Sequence, residues 1–181
     1  MTLLEMKKKV LKLIEEISTG DNLTDDPDIE AKLNTVINQI QNELSRMKKI
    51  PAYKEIEVVL DDLIEFKDID DNVYQIEMVR GIEHDMKANG TIIKCLETGV
   101  AEIDYFKYPI TIDDTTEDSY IFELSNDALE VMPYGVASDL LKSDVSSNYG
   151  QIYAQRYETM LQRLDPRYSM SSVYIENGIE V

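Results

Sequence analysis

The chain has 181 residues, with 36 Asp and Glu against 18 Lys and Arg, so its formal charge is −18 when the single His is neutral. Its hydrophobic fraction of 43% is close to the globular norm of about 45–50%, which excludes a disordered chain and predicts a folded acidic protein. Because such a charge repels phosphate backbones, we do not expect contact binding of nucleic acid.

The N-terminal residues predict two amphipathic helices. The first begins at a possible capping box, Thr2-x-x-Glu5, and extends to about Ser18. Asp26-Pro27 predicts the start of the second, because aspartate is a good N-cap and proline suits the first helical position. Apolar residues then recur on one face as far as Met47. Residues 1–50 therefore predict a helical hairpin that buries an apolar stripe against another element.

The middle of the chain has the period of β-strands. Apolar residues alternate from Glu55 onward, and turn signals separate further strands. Those strands are predicted near residues 74–79, 82–88, 91–96, 101–108 and 119–124. Asn89-Gly90 predicts a type I′ turn, because both residues tolerate positive φ. Residues 51–125, which carry most of the net charge, thus predict a small antiparallel sheet or sandwich of about 60–70 residues.

Two helices are predicted after the sheet. Ser125 or Asn126 caps the first, and Pro133 inside it predicts a kink or a late start. Asp144 to Ser147 supply a new cap for the last helix, which ends before Pro166. This pair, over residues 126–165, completes the core, so the predicted fold class is α+β.

The C-terminal tail, residues 166–181, is too short for a core of its own. One interpretation is a frayed terminus, and the other is strand addition to a neighbouring subunit through Val173-Tyr174-Ile175. Tyrosines spaced four residues apart on the last helix are either core residues or part of a subunit interface. The candidate interface residues are Tyr149, Tyr153, Tyr168, Met170, Val173, Tyr174 and Ile175.

No motif predicts an enzyme, a cofactor or a metal site. Asp68-x-Asp70-x-Asn72 copies three ligand positions of a calcium loop, but Val73 and Val79 stand where that loop needs glycine and glutamate. The single histidine, His84, is expected to be a core or surface residue and not a catalytic one, because a lone histidine is more often structural. Phosphate-binding glycine motifs are missing from the sequence, as are a signal-peptide pattern and an apolar run long enough for a membrane span. The single cysteine, Cys95, fits a reducing compartment.

Three segments together resemble a known family. They are the strand Gly99–Pro109 with its Y-x-x-x-P ending, the stretch Leu129–Asp144 containing Met-Pro-Tyr-Gly-Val-Ala-Ser-Asp-Leu-Leu, and Tyr153–Leu164 containing Tyr-Glu-x-x-Leu. In this order they resemble the head–tail connector, or neck adaptor, proteins of tailed bacteriophages, over roughly residues 2–165. The resemblance implies that the second and third segments pack together.

The resemblance also implies a function and partners. The protein would form a ring, commonly of twelve subunits, beneath the portal protein and bridge it to the next neck or tail-completion protein. It would be made in the host cytoplasm, reside in the virion neck without contacting a membrane, and let genome DNA pass without sequence-specific binding. Carboxylates facing the lumen would repel DNA and let it slide. The candidate lumen-facing residues are Asp113, Asp114, Glu117 and Asp118.

Two other functions stay open on the residues alone. An acidic protein can mimic DNA and occupy a DNA-binding protein, in which case it would displace DNA in competition. A small hydrolase that uses acidic residues and a divalent ion would instead gain thermal stability from the metal.

Overall fold

A computed structural model describes residues 1–18, 23–143 and 148–164. The described residues form two compact units: a helical unit, comprising Met1–Met47 and the described residues from Ile112 to Leu164, and a β unit, Lys48–Thr111. In chain order the elements are α1 (Leu3–Leu13), α2 (Pro27–Met47), β1 (Ile50–Val58), β2 (Leu63–Glu65), α3 (Phe66–Ile69), β3 (Val73–Arg80), β4 (His84–Lys87), β5 (Ile92–Cys95), β6 (Gly99–Lys107), α4 (Asn126–Leu140) and α5 (Tyr149–Leu164). The predicted α+β class is confirmed.

The first two helices begin as predicted. The hydroxyl of Thr2 accepts a hydrogen bond from the N–H of Glu5 at 3.2 Å, and the Glu5 carboxylate accepts one from the N–H of Thr2 at 2.9 Å. At the second helix, the Asp26 carboxylate accepts the N–H of Asp28 at 2.8 Å. Both caps satisfy backbone donors that the first helical turn leaves without partners.

The end of α1 differs from the prediction. The helix stops at Leu13 instead of about Ser18, because Glu15 takes a left-handed conformation with φ of 61°. The N–H of Glu16 then bonds back to the carbonyl of Leu11 at 2.9 Å. This is a Schellman ending, in which the left-handed position usually holds glycine. The helical spacing of apolar residues continues beyond Leu13, so it could not predict where α1 ends.

The helical unit is organised around α4, on which α1, α2 and α5 all pack. The N-terminal helices thus bury their stripes against another element, as expected. The helix runs without a break from Asn126 through Pro133 to Leu140, so the predicted late start is wrong. Proline costs a helix about 3 kcal/mol, and burial of α4 against three helices offsets that cost. Its buried residues are Ala128, Leu129, Val131, Met132, Pro133, Gly135, Val136, Ala137 and Leu140.

The β unit is a small sandwich of two antiparallel sheets, with strand orders β1-β6-β3 and β2-β5-β4. Residues from both sheets form one apolar core. Its buried members are Val58, Ile64, Ile69, Val73, Ile82, Ile93, Cys95, Ala101, Ile103 and Tyr105. The predicted turn at Asn89-Gly90 is confirmed, with φ of 56° and 89° and a hydrogen bond from the N–H of Thr91 to the carbonyl of Ala88 at 3.3 Å.

The strand predicted at 119–124 is wrong, and the boundary between units falls before Ile112, not at residue 125. This segment lies along the start of α1: Ile121 forms an isolated bridge with Thr2, and the N–H of Leu3 bonds to the carbonyl of Tyr120 at 2.8 Å. Phe122 and Leu124 are buried alternately as a strand would bury them. The alternation of buried and exposed residues was predicted correctly, but the segment belongs to the helical unit and pairs with no sheet.

Candidate interaction surfaces

The contact between α4 and α5 unites two of the segments that carry the family resemblance. Gly135 on α4 lies against the ring of Tyr157 on α5 so closely that a Cβ at Gly135 would come within 2.7 Å of the ring's Cε2 atom. Only glycine permits this approach, although glycine inside a helix costs about 1 kcal/mol relative to alanine. The packing that the resemblance implies between these segments is present.

Tyr157 is also tied to α2. Its side chain is 8% exposed, and its hydroxyl donates a hydrogen bond to the Glu43 carboxylate at 3.0 Å. Burial, reinforced by the Glu43 charge, raises the pKa of Tyr157 far above its ordinary value. The hydroxyl therefore stays protonated and links α5 to α2 across the pH range in which proteins are stable.

The other two tyrosines of this row differ in exposure. Tyr153 donates a hydrogen bond to the carbonyl of Leu13 at the end of α1, and burial raises its pKa. Tyr149 is 58% exposed at the start of α5. Of the candidate interface residues on α5, Tyr149 thus presents most of its side chain outward, while Tyr153 is bonded within the chain. The remaining candidates, Tyr168, Met170, Val173, Tyr174 and Ile175, and the predicted cap at 144–147 lie outside the described residues.

The four candidate lumen residues lie in one exposed loop of the helical unit. Asp113 accepts hydrogen bonds from the N–H of Thr115 at 2.8 Å and from its hydroxyl at 2.7 Å, and these bonds lower the pKa of the carboxyl. Asp118 forms an ion pair with Lys7 on α1 at 3.4 Å. The loop is therefore held in shape by its own side chains and by α1.

The same loop borders α2. Asn34 donates a hydrogen bond to Asp114 at 3.2 Å, and Glu117 accepts the hydroxyl of Ser119 at 3.0 Å. Between the loop and the start of α2 lies an open cleft of about 710 Å³. The cleft has carboxylates along one wall, so an anionic polymer would be repelled from it.

The residues that imitate a calcium loop instead close turns. The Asp68 carboxylate accepts the N–H of Glu65 at 2.8 Å and caps α3, while Asp70 accepts the N–H of Asn72 at 2.9 Å. Within residues 1–18, 23–143 and 148–164, no three His, Cys, Asp or Glu side chains are grouped so as to hold a metal ion. Cys95, the last residue of β5, is buried in the core of the β unit, and burial raises the pKa of its thiol.

One surface was not predicted from the sequence. Three loops, residues 59–62, 81–83 and 96–98, meet at one end of the β unit, which we call the loop pole. The N–H of Asp61 donates a hydrogen bond to the carbonyl of Cys95 at 3.0 Å, and the N–H of Leu96 donates one to the carbonyl of Glu83 at 2.9 Å. These bonds join the loops into a single surface.

The loop pole exposes aliphatic side chains. Val59, Leu60 and Leu63 are 56%, 58% and 58% exposed, and Leu96 and Val100 also face outward. Isolated exposed aliphatic residues are ordinary, but several at one end of a small unit are typical of an interaction surface. The run Val58-Val59-Leu60 was the available signal, because an unbroken apolar run cannot place every side chain in a sheet's core.

The loop pole is also negatively charged. Asp61 pairs with Lys94 at 2.8 Å, whereas Asp62, Glu83 and Glu97 have no ion pair in the described part of the chain. The carboxylates of Asp62 and Glu97 accept backbone N–H groups within the loops, at 2.9 and 2.7 Å. The surface therefore combines an apolar centre with unneutralised carboxylates.

Comparison of the chain with models of known protein families, and with curated proteins, finds no match. Among the helices formed by described residues, none has the length and apolar character needed to cross a membrane.

Proposed function

We propose that the protein is a structural component of the virion neck of a tailed bacteriophage, a head–tail connector that forms a ring beneath the portal. The observation that carries the proposal is the close packing of Gly135 against Tyr157. It supports the resemblance because those residues stand in the two segments, Met132–Leu141 and Tyr153–Leu164, on which the resemblance depends.

The construction of the helical unit suits a load-bearing ring component. One central helix, α4, is buried against three others, and tyrosine hydroxyls on α5 bond to α1 and α2. Such a unit resists distortion because its helices are joined by both apolar packing and directional hydrogen bonds. Its proposed partners are further copies of itself, the portal protein, and the next neck or tail-completion protein.

The acidic loop suits a conduit for DNA. Asp113, Asp114, Glu117 and Asp118 are exposed and held in shape by hydrogen bonds and an ion pair. If these carboxylates line the ring's lumen, the DNA backbone is repelled and slides without adhering. Reversing the four charges is then expected to slow DNA ejection from otherwise normal particles, and unchanged ejection would reject the lumen placement.

The test of the proposed function is the mass of the full chain in solution, alone and mixed with a purified candidate portal ring. Native mass spectrometry and sedimentation velocity are expected to detect either a ring or subunits that bind the portal in fixed stoichiometry. Deleting residues 167–181 is expected to leave the helical and β units folded and weaken this attachment. A full chain that remains monomeric and binds none of the portal rings tested would overturn the proposal.

A further inference from the structure

A ring of these chains must overcome strong repulsion, because each copy has a formal charge of −18. Two loop poles cannot face each other favourably, since Asp62, Glu83 and Glu97 of each copy would meet like charges across the contact. The apolar centre of the pole therefore needs an opposing surface that is basic.

The β unit does not supply such a surface, because its basic groups are used locally. Lys67 pairs with Glu65 at 2.7 Å, Lys87 with Asp85 at 3.1 Å, and Arg80 with Asp104 at 2.7 Å. The Lys54 ammonium group is bonded to backbone carbonyls near the end of α3. These cations are already occupied by neighbours of their own unit.

Helix α1 supplies a short basic stretch between Glu5 and Glu15. Lys8, Lys9 and Lys12 lie within two turns of this helix, all three are exposed, and none forms an ion pair with any residue that the structure describes. We call them the lysine stripe. Beside the stripe lie Leu4 and Leu13, which are only partly buried. Lysine side chains can lay their aliphatic stems over apolar surface while the ammonium groups reach carboxylates at its rim.

We propose that the loop pole of one copy docks on the lysine stripe of α1 in a second copy, so that the chain assembles head to tail. Val59, Leu60 and Leu63 contact the lysine stems, and the ammonium groups meet the carboxylates of the pole. A contact between two different surfaces of the same chain generates a closed ring when its rotation closes. The inference rests on the proposed ring and names the surfaces that build it.

The test uses two variants of the full chain, each with one surface disabled. Leu60→Ser with Leu63→Ser removes the apolar centre of the pole, and both side chains are too exposed for the change to unfold the β unit. Lys8→Glu, Lys9→Glu and Lys12→Glu together reverse the stripe. Each variant alone is expected to lose the ring and sediment as a monomer. A mixture is expected to form one-to-one dimers and nothing larger, because only one intact pole and one intact stripe remain.

Matched controls separate this contact from general effects of the substitutions. Met86→Ser changes an exposed apolar residue of β4 outside the loop pole, and Lys32→Glu reverses an exposed lysine on α2 outside the stripe. Both control variants are expected to assemble as the unmodified chain does.

Three results would overturn the inference: an unmodified chain that stays monomeric, disabled variants that still assemble, or a mixture that stays monomeric. Portal binding is recorded on the same samples. Unmodified chains that bind the portal while the disabled variants still form rings would reject the pole-to-stripe contact and leave the proposed function standing. If rings form, require both the loop pole and the lysine stripe, and do not bind the portal, the contact is supported and the connector function is rejected.

Discussion

The helical unit and the β unit differ in how their polar and apolar groups are arranged. In the helical unit, polar groups reach inward: the hydroxyl of Tyr157 bonds to Glu43 and that of Tyr153 to the end of α1. In the β unit, exposed aliphatic side chains gather at one end, where Val59, Leu60 and Leu63 are each more than half exposed. In the helical unit, Ile121 and Ile152 are also more than half exposed, but they lie on separate segments of the chain. Inward polar groups are explained by the fold itself, whereas several outward aliphatic groups at one end of a small unit are explained by a partner.

The charges differ between the units as well. The β unit has 14 acids and 8 bases, and ion pairs use half of those bases, leaving carboxylates over at the loop pole. The rest of the chain has 22 acids and 10 bases, yet the lysine stripe of α1 has no ion-pair partner among described residues. Net charge alone would not predict this, because it says nothing about which charges are already paired.

The largest expected effect tests whether the units are independent. Ile103 is fully buried in the β-unit core, so Ile103→Ala is expected to cost about 2–5 kcal/mol of stability through lost contacts and a cavity. Hydrogen exchange should accelerate for amides of Lys48–Thr111 and stay unchanged for α4. Ile37→Ala, in the buried face of α2, is the reciprocal control and should accelerate exchange in the helical unit. Faster exchange throughout the chain in both variants would show one cooperative structure.

A smaller effect tests the close approach at the centre of the helical unit. Gly135→Val places atoms where the Tyr157 ring lies, and overpacking of this kind costs about 1–3 kcal/mol. Denaturant unfolding followed by the signal of the helices should show a lower midpoint. Ala31→Val is the control for the helix propensity of valine, because Ala31 is exposed on α2. Equal shifts in the two variants would mean that the Gly135 contact is unimportant.

The smallest effect concerns the end of α1. Glu15 has φ of 61°, a conformation that costs an ordinary residue about 1 kcal/mol and glycine little. Glu15→Gly is therefore expected to raise the stability of the helical unit by about that amount. Glu16→Gly, at a neighbouring position without positive φ, is expected to give no gain. A loss of stability in Glu15→Gly would show that the carboxylate contributes more than the backbone strain costs.

Features that depend on neighbouring residues could be predicted from the sequence. The caps at Thr2 and Asp26, the turn at Asn89-Gly90 and the span of α5 each rest on residues within a few positions of one another. Predictions failed where a distant contact decides, or where an unusual residue takes a backbone conformation that favours glycine. The alternating segment 119–124 could not reveal that its partner is the start of α1, and the apolar spacing after Leu13 could not reveal a left-handed residue.

The candidate surfaces likewise differ in whether the sequence could predict them. The acidic loop and the exposed tyrosine at the start of α5 were found from composition and spacing. The loop pole was not, because its three loops are brought together only by the strand orders β1-β6-β3 and β2-β5-β4.

By itself, the sequence determined the helix starts, the hairpin turn, the α+β class and the excess of carboxylates, because these follow from backbone preferences and charges that act over a few residues. Only the tertiary structure decided that α4 is the central helix, that Gly135 accommodates Tyr157, and that three loops and five aliphatic side chains share one exposed end of the β unit. The physical reason is that burial is a property of the assembled chain. Whether a valine or leucine is covered depends on residues far along the sequence, which local periodicity cannot register.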